Sequence, residues 1–469
     1  MGVPVITIAQ MREWEAATWA AGITEKEVID QVGRCVAERA IQLTGPSGRI
    51  LLLAGKGHNG DDVRAASKFL APERWDLIEV ATPEETTKEL SPARIQTYSL
   101  VVDGLFGIGI NRPLNESWQR LIALLNNSQL PVLAVDTPSG LNADSGEVHG
   151  TAIRAEVTLT VGAPKVGLLL PGSSQWVGRL EVASNVGLIP CPCRSEMIWT
   201  EGSDFARFPP TRAVASHKGT YGHVVIYAGS LGYHGAAVLA ARGAQRAQPG
   251  LVSLFTFDQV YLPIASQLQA AMVHLWREGA PMLPSTSALL FGPGLAAPDL
   301  PPLFKAELRK LWLTSPLPVI ADASGLDWLP SGEIASPALR VMTPHPGEAA
   351  RLLKQTTESV QSDRPATLRQ LSARYGNCWV VLKGHQTLVG RSDGQIHVNS
   401  SGNPYLAQGG SGDVLAGYIA GLLAQSRLQP DPGRTIRYAV WQHGAAADLL
   451  SRQNPNWTVE DFVAVLGRA

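Results

Sequence analysis

The segment NPYLAQGGSGDVLAG (Asn403–Gly417) combines features that suit transfer of an anionic group. Gly409, Gly410 and Gly412 let the backbone curl, and the helix that follows presents its first free N–H groups to an anion. Leu415, Tyr418, Ile419 and Leu422 recur at i, i+3, i+4 and i+7, which predicts a helix with one buried face. Asp413 falls in its first turn. The helix dipole favours an acid there, and an acid beside a glycine-lined anion pocket is also placed to act as a general base. Three loops of the first half use similar material: GKGHNGDD (Gly55–Asp62), DGLFGIGINRP (Asp103–Pro113) and DTPSGLNADSG (Asp136–Gly146). They are small and polar enough for backbone amides to approach a phosphate, although none is a P-loop, since GxxxxGK[ST] is absent.

Such loops need strands to hold them. Apolar runs precede them at Arg49–Gly55, Ser99–Gly104 and Pro131–Asp136, with further runs at Trp75–Ala81 and Glu156–Gly162. Runs bounded by Gly and Asp, with helical stretches such as Glu116–Asn127 between them, predict an α/β fold with a doubly wound parallel sheet. In such sheets the loops at the carboxyl ends of the strands converge on one ligand crevice. The pattern lapses over residues 190–216, rich in proline and without an apolar period. It restarts at His223–Gly229, Leu251–Phe257, Ser287–Gly292, Pro318–Asp322, Leu339–Thr343 and Cys378–Gly384. Two domains are therefore expected, 1–203 and 204–469.

Composition narrows the function classes. Lys plus Arg total 39 against 40 for Asp plus Glu, a net charge of −1, which argues against a nucleic-acid partner. The longest apolar stretch, Val414–Ala424, is too short to span a membrane. Four scattered cysteines form no disulfide framework, and the N-terminus lacks a basic region followed by an apolar core. A cytoplasmic protein is expected.

The ordered motifs GKGHNGDD, DGLFGIGINRP, DTPSGL and APKVGLLLPG (Ala163–Gly172) resemble the epimerase domain of NAD(P)H-hydrate repair enzymes, over about residues 5–190. The resemblance implies a Rossmann-like sheet and a potassium ion held by Asn59, Asp103 and Ser139. It implies that hydrated NADH or NADPH is bound by His58, Asn59, Gly60, Asp61 and Asp62, by Gly107, Ile108, Gly109, Ile110, Asn111, Arg112 and Pro113, and by Asp136, which would also be catalytic. A hydroxyl beside the ring nitrogen is a hemiaminal, which inverts by losing and regaining water, and a carboxylate there can manage the proton. The first loop departs from the family pattern GNNGGDG. Asp61 puts an anion where a pyrophosphate would approach. Val63 replaces a small residue, with strain expected if that position needs unusual backbone angles.

From about residue 204 to 469 the chain resembles the ribokinase-like dehydratase acting on the S form of NAD(P)H hydrate, through FGPGL, DASGL, TPHPGE, KGHQT and GGSGD. By that resemblance Ala236, Gly294, His345 and Asp413 line the hydrate site, while Lys383, Gly384, His385, Gln386, Thr387 and Gly412 bind ADP as co-substrate. His345, between two prolines, is read as a ligand contact. Asp413 would accept the hydroxyl proton during phosphorylation, magnesium would accompany the nucleotide, and a homo-oligomer is expected. The alternative is a ribokinase-like small-molecule kinase whose N-terminal domain only binds nucleotide; an epimerase-like partner domain and TPHPGE speak against it.

Overall fold

The computed structural model describes residues 2–469, and these divide into two compact units, Val3–Glu196 and Met197–Ala469, the latter including Gly2. In the first, β1 (Ile50–Ala54), β2 (Trp75–Glu79), β3 (Leu100–Gly104), β4 (Val132–Val135), β5 (Val157–Val161) and β6 (Arg179–Ala183) form a six-stranded sheet. All pairs are parallel, in the order β2-β1-β3-β4-β5-β6. Successive residues of β1 serve opposite cores, as a strand's alternation requires. Ile50 and Leu52 pack with Val32, Val36 and Ala40 of helix α1 (Glu25–Thr44). Leu51 and Leu53 pack with Leu121, Ile122 and Leu125 of a helix over Glu116–Asn127. β1, β3, β4 and β5 are buried at every residue; β1 and β4 are accordingly apolar throughout, while β3 carries the buried Asp103 and β5 the buried Thr158 and Thr160.

The second unit is also α/β. Its strands are β7 (Met197–Thr200), β8 (His223–Tyr227), β9 (Leu251–Thr256), β10 (Met272–Leu275), β11 (Ala288–Phe291), β12 (Val319–Ala321), β13 (Arg340–Met342), β14 (Trp379–Leu382), β15 (Leu388–Gly390) and β16 (Ile396–Asn399). They run in the order β7-β16-β15-β14-β13-β12-β11-β8-β9-β10. Only the β14–β15 and β15–β16 pairings are antiparallel. The fold class agrees with the expectation from sequence. The division falls earlier than residue 203, because β7 pairs with β16 and so belongs to the second sheet. Among the described residues no helix is long and apolar enough to cross a membrane.

Two helices of this unit touch backbone to backbone. A Cβ on Gly417 would lie 1.9 Å from the Ala240 carbonyl oxygen, and one on Gly243 would lie 2.2 Å from that of Val414. Small residues thus let α2 (Ser411–Leu423) lie against the helix over His234–Arg246 at a separation no larger side chain permits. Gly417→Ala should cost about 3 kcal/mol by overpacking, read as a lowered denaturation midpoint; an unchanged midpoint would mean that the two backbones can separate freely.

Candidate active sites

In the first unit the loops after β1, β3 and β4 meet at the carboxyl end of the sheet. A helix over His58–Ala66 begins within the first of them. Gly60 is required there, since a Cβ would lie 2.0 Å from the Gly55 carbonyl oxygen. Asp103, at the end of β3 and fully buried, accepts hydrogen bonds from the Ser139 hydroxyl at 2.6 Å and the Ser139 amide at 2.9 Å. The Ser139 hydroxyl in turn accepts from the Phe106 amide at 2.9 Å, and Asn59 Nδ2 donates to the Phe106 carbonyl at 2.9 Å. Asn59, Asp103 and Ser139 are therefore linked through Phe106. Burial pushes the Asp103 carboxyl up to about 6, against the pull of the Ser139 and Leu105 hydrogen bonds. Asn59 Oδ1 is buried with no partner. An orphaned amide oxygen near a carboxylate and a hydroxyl is donor chemistry for a hard cation, so these residues fit potassium.

Asp136 takes a left-handed backbone (φ +62°) at the end of β4, a conformation a non-glycine residue holds only when its surroundings enforce it. The Asp136 amide donates to the Leu159 carbonyl at 2.8 Å, and Asp136 Oδ1 accepts from the Val161 amide at 3.1 Å, the Thr160 hydroxyl at 3.2 Å and Lys165. The fully buried Lys165 ammonium donates to Asp136 Oδ1 at 2.6 Å, Thr160 Oγ1 at 3.0 Å and the Val161 carbonyl at 2.9 Å, which exhausts its donors. A Cβ on Gly107 would lie 3.2 Å from Asn59 Cβ and 3.8 Å from Asp136 Oδ2, so Gly107, Asn59 and Asp136 converge. Ile110 is buried beyond them; Gly109, Asn111, Arg112 and Pro113 are exposed. Burial, then the charges of Asp136, Asp61 and Glu15, push the Asp62 carboxyl well above the usual range. Glu15 is raised as well, first by burial and then by Asp136. Sequence reasoning singled out neither Lys165 nor Glu15. Lys165 was visible as a lone cation amid the apolar residues of APKVGLLLPG, whereas Glu15 lies on a distant helix and left no signal.

Two expectations about the first loop need correction. Val63 is helical, fully buried and outside the left-handed region, and it packs over Gly104; no unusual angles are required of it. Asp61 is not a free anion, because Arg64 Nη1 pairs with it at 2.8 Å while also binding Glu79. His58 is exposed and bonded to Glu25 at 2.9 Å. Lys165→Met would strand Asp136 without its buried counter-charge and should destabilise the first unit by about 3 kcal/mol in urea; wild-type stability would show that the pair holds nothing together.

The second unit gathers acids around another lysine. Gly410 caps α2 in a left-handed conformation (φ +98°), which places Asp413 in the first turn. Lys383 Nζ lies 2.9 Å from Asp322 Oδ1 and 3.9 Å from Glu348 Oε2. A Cβ on Gly412 would lie 3.2 Å from the same Nζ, so the ammonium faces the glycine loop. Thr343 Oγ1 donates to Asp322 Oδ1 at 2.6 Å. Burial, reinforced by Asp322 and Glu348 and opposed by Lys383, pushes the Asp413 carboxyl up to about 7. Burial pulls Lys383 down, but Asp322 and Glu348 together outweigh it, and its pKa is raised. Ala236 and Gly294 are neighbours, since a Cβ on Gly294 would lie 3.0 Å from Ala236 Cβ.

His345 has a structural role of its own. Its Nδ1 accepts from the Gly347 and Glu348 amides at 3.0 and 3.3 Å, capping the helix over Pro346–Leu353, and leaves Nε2 on the exposed side, 3.5 Å from Glu348 Oε1. In the loop over Lys383–Thr387, the Thr387 hydroxyl donates to the Gly384 carbonyl at 3.0 Å. Asp322 and Glu348 were not assigned from sequence, although both lie in motifs, DASGL and TPHPGE. Among the described residues no group of three or more His, Cys, Asp or Glu side chains is disposed to hold a metal. Magnesium arriving with a nucleotide is held largely by the phosphates and water, which is compatible with this set.

Residues 224–462 match the family model described as NAD(P)H-hydrate dehydratase, and 73–167 match that of the YjeF-related protein N-terminus. The bifunctional NAD(P)H-hydrate repair enzyme of Gloeobacter violaceus is 33% identical, over 99% of this chain and 96% of its own. The chain belongs to this repair-enzyme family. The Coxiella burnetii member is likewise 33% identical, over 95% of this chain and 94% of its own. Among solved structures, the ADP/ATP-dependent NAD(P)H-hydrate dehydratase of Bacillus subtilis, crystallised with ATP and Mg2+, is 32% identical with a TM-score of 0.50. It covers 55% of this chain and 92% of its own. A ribokinase-like superfamily protein of Enterococcus faecalis is 25% identical with a TM-score of 0.51, over 60% of this chain and 97% of its own.

Proposed function

We propose that the second unit dehydrates the S form of hydrated NADH and NADPH at the expense of ADP, and that the first interconverts the R and S forms. The observation that carries the first half of this reading is Asp413, raised to about 7 at the start of α2 beside Gly412 and Lys383. Hydroxide is a poor leaving group, so the ring hydroxyl is first phosphorylated. Asp413 takes its proton as the oxygen accepts the phosphoryl group and AMP departs. The amides of the glycine loop and the Lys383 ammonium stabilise the charge on the group in transit. The ring nitrogen's lone pair then expels phosphate, and loss of a proton from the adjacent carbon restores the double bond.

For epimerisation the hemiaminal loses water to an iminium-like state and regains it on the other face. Asp136, locked by Lys165, handles the proton and faces the positive ring. Asn59, Asp103 and Ser139 would hold potassium, which supplies positive charge and ties together the loops after β1, β3 and β4. Asp61 is partly offset by Arg64, which draws its carboxylate aside while also pairing with Glu79. Four free cysteines suit the cytoplasm, a reducing compartment.

Asp413 works as a base only when ionised. kcat/KM for dehydration should therefore fall as pH drops below about 7. Asp413→Asn should abolish that limb and slow turnover by about 2 to 4 decades while leaving ADP binding largely intact; near-normal turnover in the variant would remove Asp413 from the chemistry. Asp103→Ala should impair epimerisation and its potassium dependence while sparing dehydration of pure S hydrate. Equal loss of both activities would contradict a potassium site confined to the first unit.

A further inference from the structure

The Lys383–Thr387 loop is gripped from behind by one side chain. Arg364, the first residue of the helix over Arg364–Arg374, directs its guanidinium at three carbonyls of that loop and at that of Leu382 just before it. Nη1 donates to the carbonyls of His385 and, at 3.4 Å, Gln386. Nη2 donates to those of Leu382 at 3.1 Å and Lys383 at 3.5 Å. A Cβ on Gly384 would lie 3.4 Å from Nη2, so the guanidinium rests against the loop itself. Gly384 (φ +132°) and Gln386 (φ +51°) are both in left-handed backbone, and for a glutamine that conformation persists only where neighbours enforce it.

For stability alone the charge is badly placed. A cation at a helix N-terminus opposes the helix dipole. The adjacent Asp363 gives its carboxylate to the Ala366 amide instead, no carboxylate among the described residues pairs with Arg364, and its Nε is buried without a partner. Burial lowers the guanidinium to about 10, which leaves it charged at neutral pH. Arg340 offers the contrast. It also binds only carbonyls, including those of Trp312 and Ser315, but these lie at the C-terminal end of the helix over Pro302–Thr314, where the dipole welcomes a cation.

We infer that Arg364 is a positioning residue for the nucleotide: it draws the loop's carbonyls to one side so that the amides of Gly384–Thr387 face the diphosphate of ADP, the Lys383 amide being held by the Pro344 carbonyl at 2.9 Å, and that diphosphate is the anion its unpaired charge lacks. The inference rests on the reading of this loop as the ADP site. Arg364→Met in the full chain should raise KM for ADP about tenfold, with kcat changed by less than about threefold and KM for the hydrate unmoved. Arg364→Lys keeps the charge but cannot span the carbonyls, and should recover only part of the loss. An unchanged KM for ADP in both variants, or a loss confined to kcat, overturns the inference. Hydrogen exchange of the Gly384–Thr387 amides in the wild-type protein separates the two readings: if ADP does not slow it, the loop is not the nucleotide site and that assignment fails first.

Discussion

Each unit pairs a lysine ammonium with a buried aspartate at the carboxyl end of its sheet, Lys165 fully buried and Lys383 mostly so. Removing such charges from water costs several kcal/mol apiece unless geometry returns it, so the pairs dictate much around them. Lys165 spends all its donors within the fold and, with the Val161 amide and Thr160 hydroxyl, holds the Asp136 carboxylate. Lys383 is used differently. It pairs closely with Asp322 and stands farther from Glu348, and its remaining field falls on Gly412 and Asp413. The first lysine locks a carboxylate in place; the second leaves one able to exchange its proton near neutral pH.

Backbone proximity sets up the second arrangement. Because Gly243 and Gly417 allow two helices to touch, the start of α2 is held relative to the strand ends that carry Asp322 and Lys383. A proton acceptor useful in phosphoryl transfer must keep its position within fractions of an ångström, and a helix packed backbone to backbone has little freedom to drift.

The glycine loops and central strands were legible because their signals are local. A buried parallel strand is continuously apolar, and an anion-binding turn needs glycine at particular positions. β6 and β10 carry no continuous apolar run because they are only partly buried, and β7, β15 and β16, though mostly buried, are three or four residues long and too short to stand out in the sequence. The partners of the site residues were harder still. Nothing along the chain announces that Lys165 meets Asp136 or that Lys383 meets Asp322; those relations exist only once strands distant in sequence lie side by side. Val63 shows the converse error, where a family pattern suggested strain and the helix supplies ordinary geometry.

The central claim is that one chain carries two separate chemistries on two sets of acids. It is tested most directly by giving the full-length protein a mixture of R and S NADH hydrate with excess ADP and following each epimer by chromatography. The S form should disappear first, the R form should follow to completion, and without ADP the two should interconvert with no NADH formed. If the R form persists once the S form is exhausted, the first unit does not epimerise and the account of its site is wrong.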